Sequence, residues 1–352
     1  MPNHDHLARR PTIADVARHA GVSTAAVSYT LNDRPGVSPG VRRRIRAAVE
    51  TVGWVPRPAA RAVRGRGAGA IGFAMAGPTR LFGIEPFNLT LASGLAGELS
   101  GSSYELFLRE VADVEQEAAL YRRWWAEGRV DAVFLSNLRD DDPRIDVLTE
   151  IGMPAVVYGD PAVVGDLTPF GDGQLPAMAD AIGYLATIGH GTVAFVTGPP
   201  QLRHTAHRTQ AFLRACRANG IERSTVVAGH YRGPYAARIT ERLLTARSRP
   251  TAVIYDNDVM ALAGMAATRA LGLRVPADVS LISWEDSLLV RNSHPSMATV
   301  SRGVADRGRR IAQMLVALLA GEAVTGGPLE PSWLEPAGSV ASPGGRSRNR
   351  NR

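Results

Sequence analysis

The 352-residue chain has one cysteine and no lysine. A single thiol, Cys216, can form neither an internal disulfide nor a thiolate metal cluster, and its setting on a helix face indicates a small packed residue. No apolar run approaches the roughly 18 residues that a membrane-spanning helix needs. The N-terminal residues lack the apolar core of a signal peptide, so we expect a cytoplasmic protein.

The sequence also lacks the motifs that carry chemistry in many enzymes with α/β folds. It has no Gly-x-Gly-x-x-Gly after a strand, no phosphate-binding P-loop, no Gly-x-Ser-x-Gly and no His-Glu-x-x-His. The eight histidines are scattered along the chain. We therefore expect no catalytic residues, no metal site and no cofactor.

What the sequence does contain is an uneven distribution of charge. Residues 1–66 hold 12 arginines and four acidic residues, a net charge of +8. Residues 67–345 hold 24 basic and 29 acidic residues, a net charge of −5. A basic head on an acidic body predicts a polyanionic partner for the head alone.

The basic head shows the pattern of two short helices joined by a tight turn. The first helix begins at a capping-box pattern, Thr12 with Asp15, and ends at Gly21, which suits the left-handed position after a helix. Ser23 is the expected cap of the second helix, which runs to Asn32. The pattern predicts a helix-turn-helix. Apolar residues recur at helical spacing along both segments: Ile13, Val16, Ala17, Ala20, Val27 and Leu31.

A third helix is predicted after this pair. Ser38 is its cap, Pro39 is its first residue and Gly53 marks its end. Four arginines crowd its first turns, at 42–44 and at Arg46. By themselves these features fit either a DNA-binding headpiece or a small three-helix domain with a solvated basic face.

Several motifs of this segment, taken together, resemble the headpiece of the LacI/GalR (lac repressor) family. The similarity continues through Ala60 and Arg61, which match the family's hinge helix. The resemblance implies a helix-turn-helix headpiece at 1–56 and a hinge at 57–67. The headpiece motifs lie at residues 12–17, 20–23, 27–28, 31–32, 37–38 and 53–56.

The resemblance implies how the headpiece contacts DNA. The second helix enters the major groove, where Thr24, Ala25 and Tyr29 are the implied base readers. The full set of implied major-groove contacts is Ser23, Thr24, Ala25, Ser28, Tyr29 and Asn32. Paired hinge helices of a homodimer enter the minor groove and wedge an apolar side chain into a base step. Without DNA the hinge fits a flexible linker. The implied minor-groove residues are Ala60, Arg61 and the wedge Val63.

Beyond residue 67, short apolar runs alternate with longer helical stretches. This alternation predicts parallel sheets with helices on both faces. Strands are predicted at 70–76, 105–108, 130–135, 155–158, 192–196, 225–227, 252–255 and 281–283. Helices are predicted at 90–99, 115–126, 175–187, 208–218 and 258–271.

The body resembles the family's periplasmic-binding-protein-like core. The resemblance implies two doubly wound parallel-sheet subdomains, one at about 68–166 plus 299–322 and the other at about 167–298 plus 323–342. Residues 343–352 are rich in arginine and predict a disordered tail. The expected fold class is therefore an all-α helix-turn-helix headpiece plus an α/β core. The core motifs lie at 188–190, 257–262, 272–280 and 295–300.

The resemblance also implies effector contacts beyond the carboxyl ends of the strands, where ligands bind in such sheets. Arg208 and Asp258 match the family's usual contacts, and a guanidinium with a carboxylate suits a polyhydroxylated ligand such as a sugar or nucleoside. Structural alternatives stay open: a helix cap for Asp258, a surface ion pair for Arg208, solvated carboxylates and aromatic core packing. Further candidate contacts are Asp160, Asp172, Phe82, Phe87 and Trp284.

The expected function is that of a homodimeric repressor that binds a pseudo-palindromic operator and responds to a sugar-like or nucleoside-like effector. Three segments depart from the family pattern: residues 255–256, where small residues are common, 283–286 and 336–339. These departures leave open a DNA-binding regulator with a non-functional effector cleft. A solute-binding receptor built on the same core is the remaining alternative.

Overall fold

The computed structural model describes residues 11–54, 67–77, 86–159, 163–171, 175–324 and 332–344. The chain separates into two compact units, Met1–Ala68 and Gly69–Arg352. Within the described ranges, no helix has both the length and the apolarity that a bilayer crossing requires. The predicted tail lies outside the described residues from residue 345 onward.

The first unit contains three helices at the predicted places: α1 (Ile13–Ala20), α2 (Thr24–Leu31) and α3 (Pro39–Val52). The capping box of α1 is confirmed, because the Thr12 amide donates to the Asp15 carboxylate at 2.8 Å. Gly21 then ends the helix in the left-handed conformation, with a φ of 61°. Ser23 caps α2 by accepting a hydrogen bond from the Ala26 amide at 3.1 Å.

Each helix of the first unit contributes one apolar stripe to a shared core. This core holds α1 and α2 against α3 and leaves the opposite face of α2 to solvent. Its buried residues are Val16, Ala17, Ala20, Val27, Ile45 and Ala48.

The second unit begins with a parallel sheet of five strands in the order β2-β1-β3-β4-β5. The central strand is buried along its whole length, as expected for a parallel sheet covered on both faces. The strands are β1 (Ala70–Ala76), β2 (Glu105–Val111), β3 (Ala132–Leu135), β4 (Ala155–Tyr158) and β5 (Thr168–Phe170). Its helices are α4 (Pro86–Leu99), α5 (Val114–Ala126) and α6 (Pro143–Ile151).

The second sheet has six strands in the order β11-β10-β9-β8-β6-β7, and β11 runs antiparallel to β10. The strands are β6 (Thr192–Thr197), β7 (Arg223–Ala228), β8 (Ala252–Tyr255), β9 (Ser280–Ser283), β10 (Ala298–Ser301) and β11 (Trp333–Glu335). The remaining helices, in chain order, are α7 (Leu175–Thr187), α8 (Arg203–Ala218), α9 (Gly233–Thr245), α10 (Asp258–Ala270), α11 (Leu288–Arg291) and α12 (Val304–Leu319), of which α12 packs on the first sheet's core. Cys216 packs in the core of the second sheet, where burial raises its pKa to about 12.

The structure divides the core differently from the prediction at two places. β5 pairs with β4 in the first sheet, although the predicted first segment ends at residue 166. β10 pairs with β9 in the second sheet, although residues from 299 onward are predicted in the first subdomain. In both cases the chain adds one more strand before it crosses over. Neither strand is a run of apolar residues, since β5 reads Thr-Pro-Phe and β10 reads Ala-Thr-Val-Ser, so the apolar pattern did not reveal them.

Helix α12 lies so close to α4 that the crossing requires glycine. A Cβ atom on Gly94 of α4 would lie 2.1 Å from the carbonyl oxygen of Ala305. A Cβ atom on Gly308 of α12 would lie 2.3 Å from the carbonyl oxygen of Leu91. Backbone therefore packs on backbone, and this contact fixes α12, which follows a strand of the second sheet, to the first subdomain.

A buried ion cluster joins α5 to the start of α6. Arg144 is 2% exposed, and its Nη1 donates to Glu117 at 2.9 Å while its Nη2 donates to Asp142 at 2.6 Å. Nη2 also donates to the carbonyl oxygen of Asn137 at 3.0 Å, and the Tyr121 hydroxyl donates to Glu117. Burial raises the pKa of Glu117, and the positive charge of Arg144 opposes that rise. The cluster therefore fixes the loop at 136–142, which follows β3.

That loop contacts the start of α8 in the second subdomain. The Arg203 amide donates to the carbonyl oxygen of Leu138 at 2.9 Å, and Arg139 forms an antiparallel bridge with Leu202. The Arg203 side chain also pairs with Asp140. We call the contacts between 138–140 and 202–203 the backbone clasp. It is a noncovalent link between the two subdomains, in addition to the chain segments that cross from one to the other.

Candidate DNA-binding and effector sites

The exposed face of α2 carries the residues predicted to contact DNA. Four of them are exposed: Ser23, Thr24, Ala25 and Tyr29. Ser28 and Asn32 are half-buried, and the Asn32 side-chain amide donates to the Ser28 carbonyl oxygen at 2.5 Å. Val27, on the other side of the helix, is fully buried. The helix is thus anchored by one face and presents the other to solvent.

Two of the arginines at the start of α3 hold the headpiece together. Arg44 Nε donates to the carbonyl oxygen of Ala20 at 2.9 Å. Arg42 Nε donates to the carbonyl oxygen of Val37 at 3.3 Å. These contacts fix α3 to the turns beside it, so this part of the basic face is structural as well as charged.

Six predicted contact residues lie outside the described residues. They are the hinge residues Ala60, Arg61 and Val63 and the cleft candidates Phe82, Asp160 and Asp172.

The second candidate site lies beyond the carboxyl ends of the strands of the second sheet, the usual ligand position in α/β proteins. Strands β6, β8 and β9 end at this edge, and α8 and the segment after β10 approach it. We call it the strand-end site. Its described polar residues are His204, Arg208, Tyr231, Asp256, Asp258, Ser287 and Arg302.

A buried ion pair lies in the middle of the strand-end site. Arg208 Nη1 donates to Asp256 Oδ1 at 2.6 Å, and the two residues are 5% and 0% exposed. Arg208 therefore forms a buried ion pair, and the alternative that it forms a surface ion pair is wrong. The Arg208 guanidinium lies 5.7 Å from the ring centroid of Trp284, which is fully buried. Trp284 is thus a core residue behind the ion pair, in agreement with the alternative of aromatic core packing.

The other oxygen of Asp256 is held by two further donors. Oδ2 accepts the Gly198 amide at 2.9 Å and the Tyr231 hydroxyl at 3.1 Å. His204 Nε2 lies 2.7 Å from the Tyr231 oxygen, and the two rings stack with an interplanar angle of 12°. Since the Tyr231 proton points to Asp256, His204 Nε2 is the donor in this contact. A chain of hydrogen bonds therefore runs from His204 to Arg208.

Asp258 is the first residue of α10, and the helix cap is its neighbour. Asn257 accepts the Met260 amide at 2.9 Å, so the alternative that Asp258 caps the helix is wrong. Burial raises the pKa of Asp258, and the nearby Ser287 hydroxyl and Arg302 charge oppose the rise. Three buried polar atoms of the site lack a well-formed hydrogen bond within the described ranges: Asp258 Oδ2, Ser287 Oγ and Arg302 Nε. The Ser287 hydroxyl nevertheless lies close enough to the Asp258 carboxylate to lower its pKa.

Arg302 joins the site to the first subdomain. Its Nη2 pairs with Glu285, and its guanidinium lies 4.7 Å from the ring centroid of Phe87 on α4. Phe87, predicted as a candidate effector contact, is half-buried and packs against the Arg302 guanidinium. The sequence patterns did not reveal Arg302, Tyr231 or His204. For Tyr231 a signal exists, because it follows β7 at the same edge of the sheet.

His204 gives the protein a pH-dependent stability. Burial lowers its pKa well below the usual value, and the charges of Arg208 and Arg302 add to the shift. The unfolded chain therefore takes up the proton first, so the contribution of neutral His204 is complete above about pH 6.5 and declines below it. We expect the melting temperature to fall more steeply between about pH 7.5 and 5.5 in the wild type than in His204→Gln.

A second histidine with a lowered pKa, His190, is present in both proteins of this comparison. Burial also lowers its pKa, but it lies just before the first residue of β6, hydrogen-bonded to Thr251 and to the carbonyl oxygen of Ala341. The difference between His204→Gln and the wild type cancels its contribution. Parallel pH profiles for the two proteins would contradict the assignment to His204.

Comparisons with known proteins point to one family. Residues 12–57 match the model of the bacterial regulatory proteins of the lacI family, and residues 182–336 match that of the periplasmic binding protein-like domain. The HTH-type transcriptional regulator AglR of Rhizobium meliloti (strain 1021) is 31% identical over 310 residues, which cover 86% of either chain. The chain belongs to the lacI family.

Other relatives agree with this membership. The HTH-type transcriptional regulator CelR of Thermobifida fusca is 29% identical over 324 residues, 89% of this chain and 93% of that protein. A solved CelR–cellobiose complex is 27% identical, covers 94% of this chain and 100% of its own, and superposes with a TM-score of 0.70.

The lac repressor dimer bound to operator and the anti-inducer ONPF superposes with a TM-score of 0.82. It is 23% identical, covers 95% of this chain and 100% of its own, and supports the fold alone. The predicted family and fold class are confirmed. This lacI-family protein is a DNA-binding transcriptional regulator.

Proposed function

We propose that this lacI-family protein represses transcription by reading an operator with α2. Thr24, Ala25 and Tyr29 supply the base contacts, because they stand exposed on the face opposite the buried Val27. A major groove admits one such helix. The phosphate contacts are assigned to Ser23, Ser28 and Asn32.

The proposal extends to the assembly on DNA. A homodimer in the cytoplasm binds a pseudo-palindromic operator, with its two headpieces in successive major grooves. Ala60 and Arg61 contact the minor groove between them, and Val63 wedges into a base step. The excess of arginine in residues 1–66 supplies the charge that such contacts need.

The proposed effector is a sugar, bound at the strand-end site. The observation that carries this proposal is a cluster of three buried polar side chains, Asp258, Ser287 and Arg302, each with one atom that lacks a well-formed hydrogen bond. Buried polar groups are normally satisfied, so such atoms mark where a ligand or water belongs. A hydroxyl group donates to a carboxylate and accepts from a guanidinium, so a polyhydroxylated ligand matches both. CelR, a similar protein, has been solved with cellobiose.

Two further candidate functions fit less well. A regulator with a non-functional cleft would be expected to fill the site with apolar side chains, whereas here unsatisfied polar atoms are buried in it. A solute-binding receptor would not need a helix-turn-helix whose second helix exposes one face to solvent.

Two variants separate the two proposed sites. Operator affinity is measured by mobility shift on fragments upstream of the protein's own gene, and ligand affinity by calorimetry with cellobiose, other neutral sugars and nucleosides. We expect Asp258→Asn to weaken sugar binding about 10- to 100-fold, the value of a hydrogen bond to a charged group. Its operator affinity without ligand stays unchanged.

Tyr29→Ala is the reciprocal variant. We expect it to lower operator affinity about tenfold, leaving non-specific binding and sugar affinity as in the wild type. The proposal is wrong if both variants lose both activities equally, or if no ligand of the panel binds the wild type.

A further inference from the structure

We propose that Asp256 makes the strand-end site selective for uncharged ligands. Its carboxylate neutralises Arg208, so that a sugar with a carboxylate or phosphate group is rejected and a neutral polyhydroxylated one is accepted. The inference rests on the proposed sugar-binding function and names the charge class of the effector.

The first observation is the geometry of the ion pair. An unpartnered arginine in a ligand site attracts anions, because its planar donors match a carboxylate or phosphate. Arg208 instead meets Asp256 at 2.6 Å, in a place where Asp256 has no exposed surface. Charges are screened weakly there, so the carboxylate cancels most of the attraction that an anionic ligand would feel.

The second observation is that Asp256 is held in place. The Gly198 amide and the Tyr231 hydroxyl both donate to its second oxygen, at 2.9 and 3.1 Å. Tyr231 is in turn bound by His204 at 2.7 Å. The carboxylate therefore cannot swing away to release Arg208 to an anion without breaking its two contacts with Gly198 and Tyr231.

The third observation is the charge of the surrounding groups. Arg302, the other arginine of the site, is paired with the Glu285 carboxylate. Asp258 adds a third carboxylate, which lies close to the Ser287 hydroxyl and the Arg302 charge. An anion would meet three carboxylates and two guanidinium groups there, whereas a hydroxyl finds both an acceptor and a donor.

The sequence position of Asp256 makes it a natural place for such control. It lies between the last residue of β8 and the cap of α10, so the strand and the helix fix its backbone. A residue with a small side chain at this position would leave the Arg208 guanidinium without its carboxylate partner. A single substitution here therefore changes the charge of the site without changing its walls.

The test compares matched ligands on the full-length protein. Calorimetry is run with the neutral sugars that bind and with the uronates made by oxidising one CH2OH group of each. We expect the wild type to bind the neutral member at least about tenfold more tightly, and Asp256→Asn to reduce this ratio at least about tenfold, since one charge is removed at hydrogen-bond distance. Asp256→Glu keeps the charge and is expected to keep the preference.

Asp278→Asn is the matched control, since Asp278 pairs with Arg274 at the surface and lies outside the site. Its ratio stays that of the wild type. The proposal is overturned if the wild type binds uronates as well as neutral sugars, a result that needs no variant to fold. It is also overturned if a folded, operator-binding Asp256→Asn keeps the full preference. If neither sugars nor uronates bind the wild type, the proposed effector site itself is wrong.

Discussion

Replacing Arg144 by methionine is expected to lower the free energy of unfolding by about 3–5 kcal/mol, the usual cost of stranding buried charge. Arg144 is 2% exposed and is held between Glu117 and Asp142. Methionine fills most of the same volume but leaves two carboxylates without a cation. Since burial already raises the pKa of Glu117, the loss of the arginine raises it further and the carboxyl takes up a proton.

Arg122→Met is the matched control. Arg122 forms an ion pair with Glu150 in the same subdomain, but both side chains are largely exposed. Exposed pairs contribute little to stability, so the urea midpoint of this variant should stay within error of the wild type. Similar losses in the two variants would show that the cluster is no more important than a surface pair.

Replacing Gly94 by alanine is expected to destabilise the protein by about 1–3 kcal/mol, the usual cost of overpacking a core. The added methyl group would lie 2.1 Å from the carbonyl oxygen of Ala305, which belongs to the backbone and cannot rotate aside. Helices α4 and α12 must therefore move apart. The expected loss is large enough to outweigh the gain in helix propensity that alanine brings.

Gly97→Ala, in the same helix, is the matched control with the opposite sign. A Cβ atom at Gly97 meets nothing within 4 Å. Alanine there should raise the free energy of unfolding by about 0.5–1 kcal/mol through propensity alone. Thermal or urea unfolding of the two variants measures both signs. A stabilising Gly94→Ala would contradict the tight crossing.

The headpiece was predictable because its signals are local. Ser23 and Ser38 accept hydrogen bonds from amides three residues away, and Asp15 accepts the Thr12 amide over the same distance, so each helix start is marked by local residues. In the core, the strands made of consecutive apolar residues were predictable for the same reason. Strands β5 and β11 contain a proline and a glutamate among their three residues, and they become strands only by pairing with β4 and β10.

The strand-end site was predictable only in part. Arg208 and Asp258 were found because they match a family motif, and the rule of strand carboxyl ends supports their placement. Asp256 was visible only as a departure from that motif. Its partners Gly198 and Tyr231 come from segments more than twenty residues away, and tertiary folding alone brings them to one carboxylate.

The backbone clasp allows separation of the two subdomains to be followed by hydrogen exchange. The amide of Arg203 has its acceptor, the carbonyl oxygen of Leu138, in the other subdomain. Whenever the subdomains separate, this proton becomes free to exchange with solvent deuterium, while amides inside either sheet keep their acceptors. The exchange rate of the Arg203 amide therefore reports the frequency of subdomain separation, and it can be compared with and without ligand.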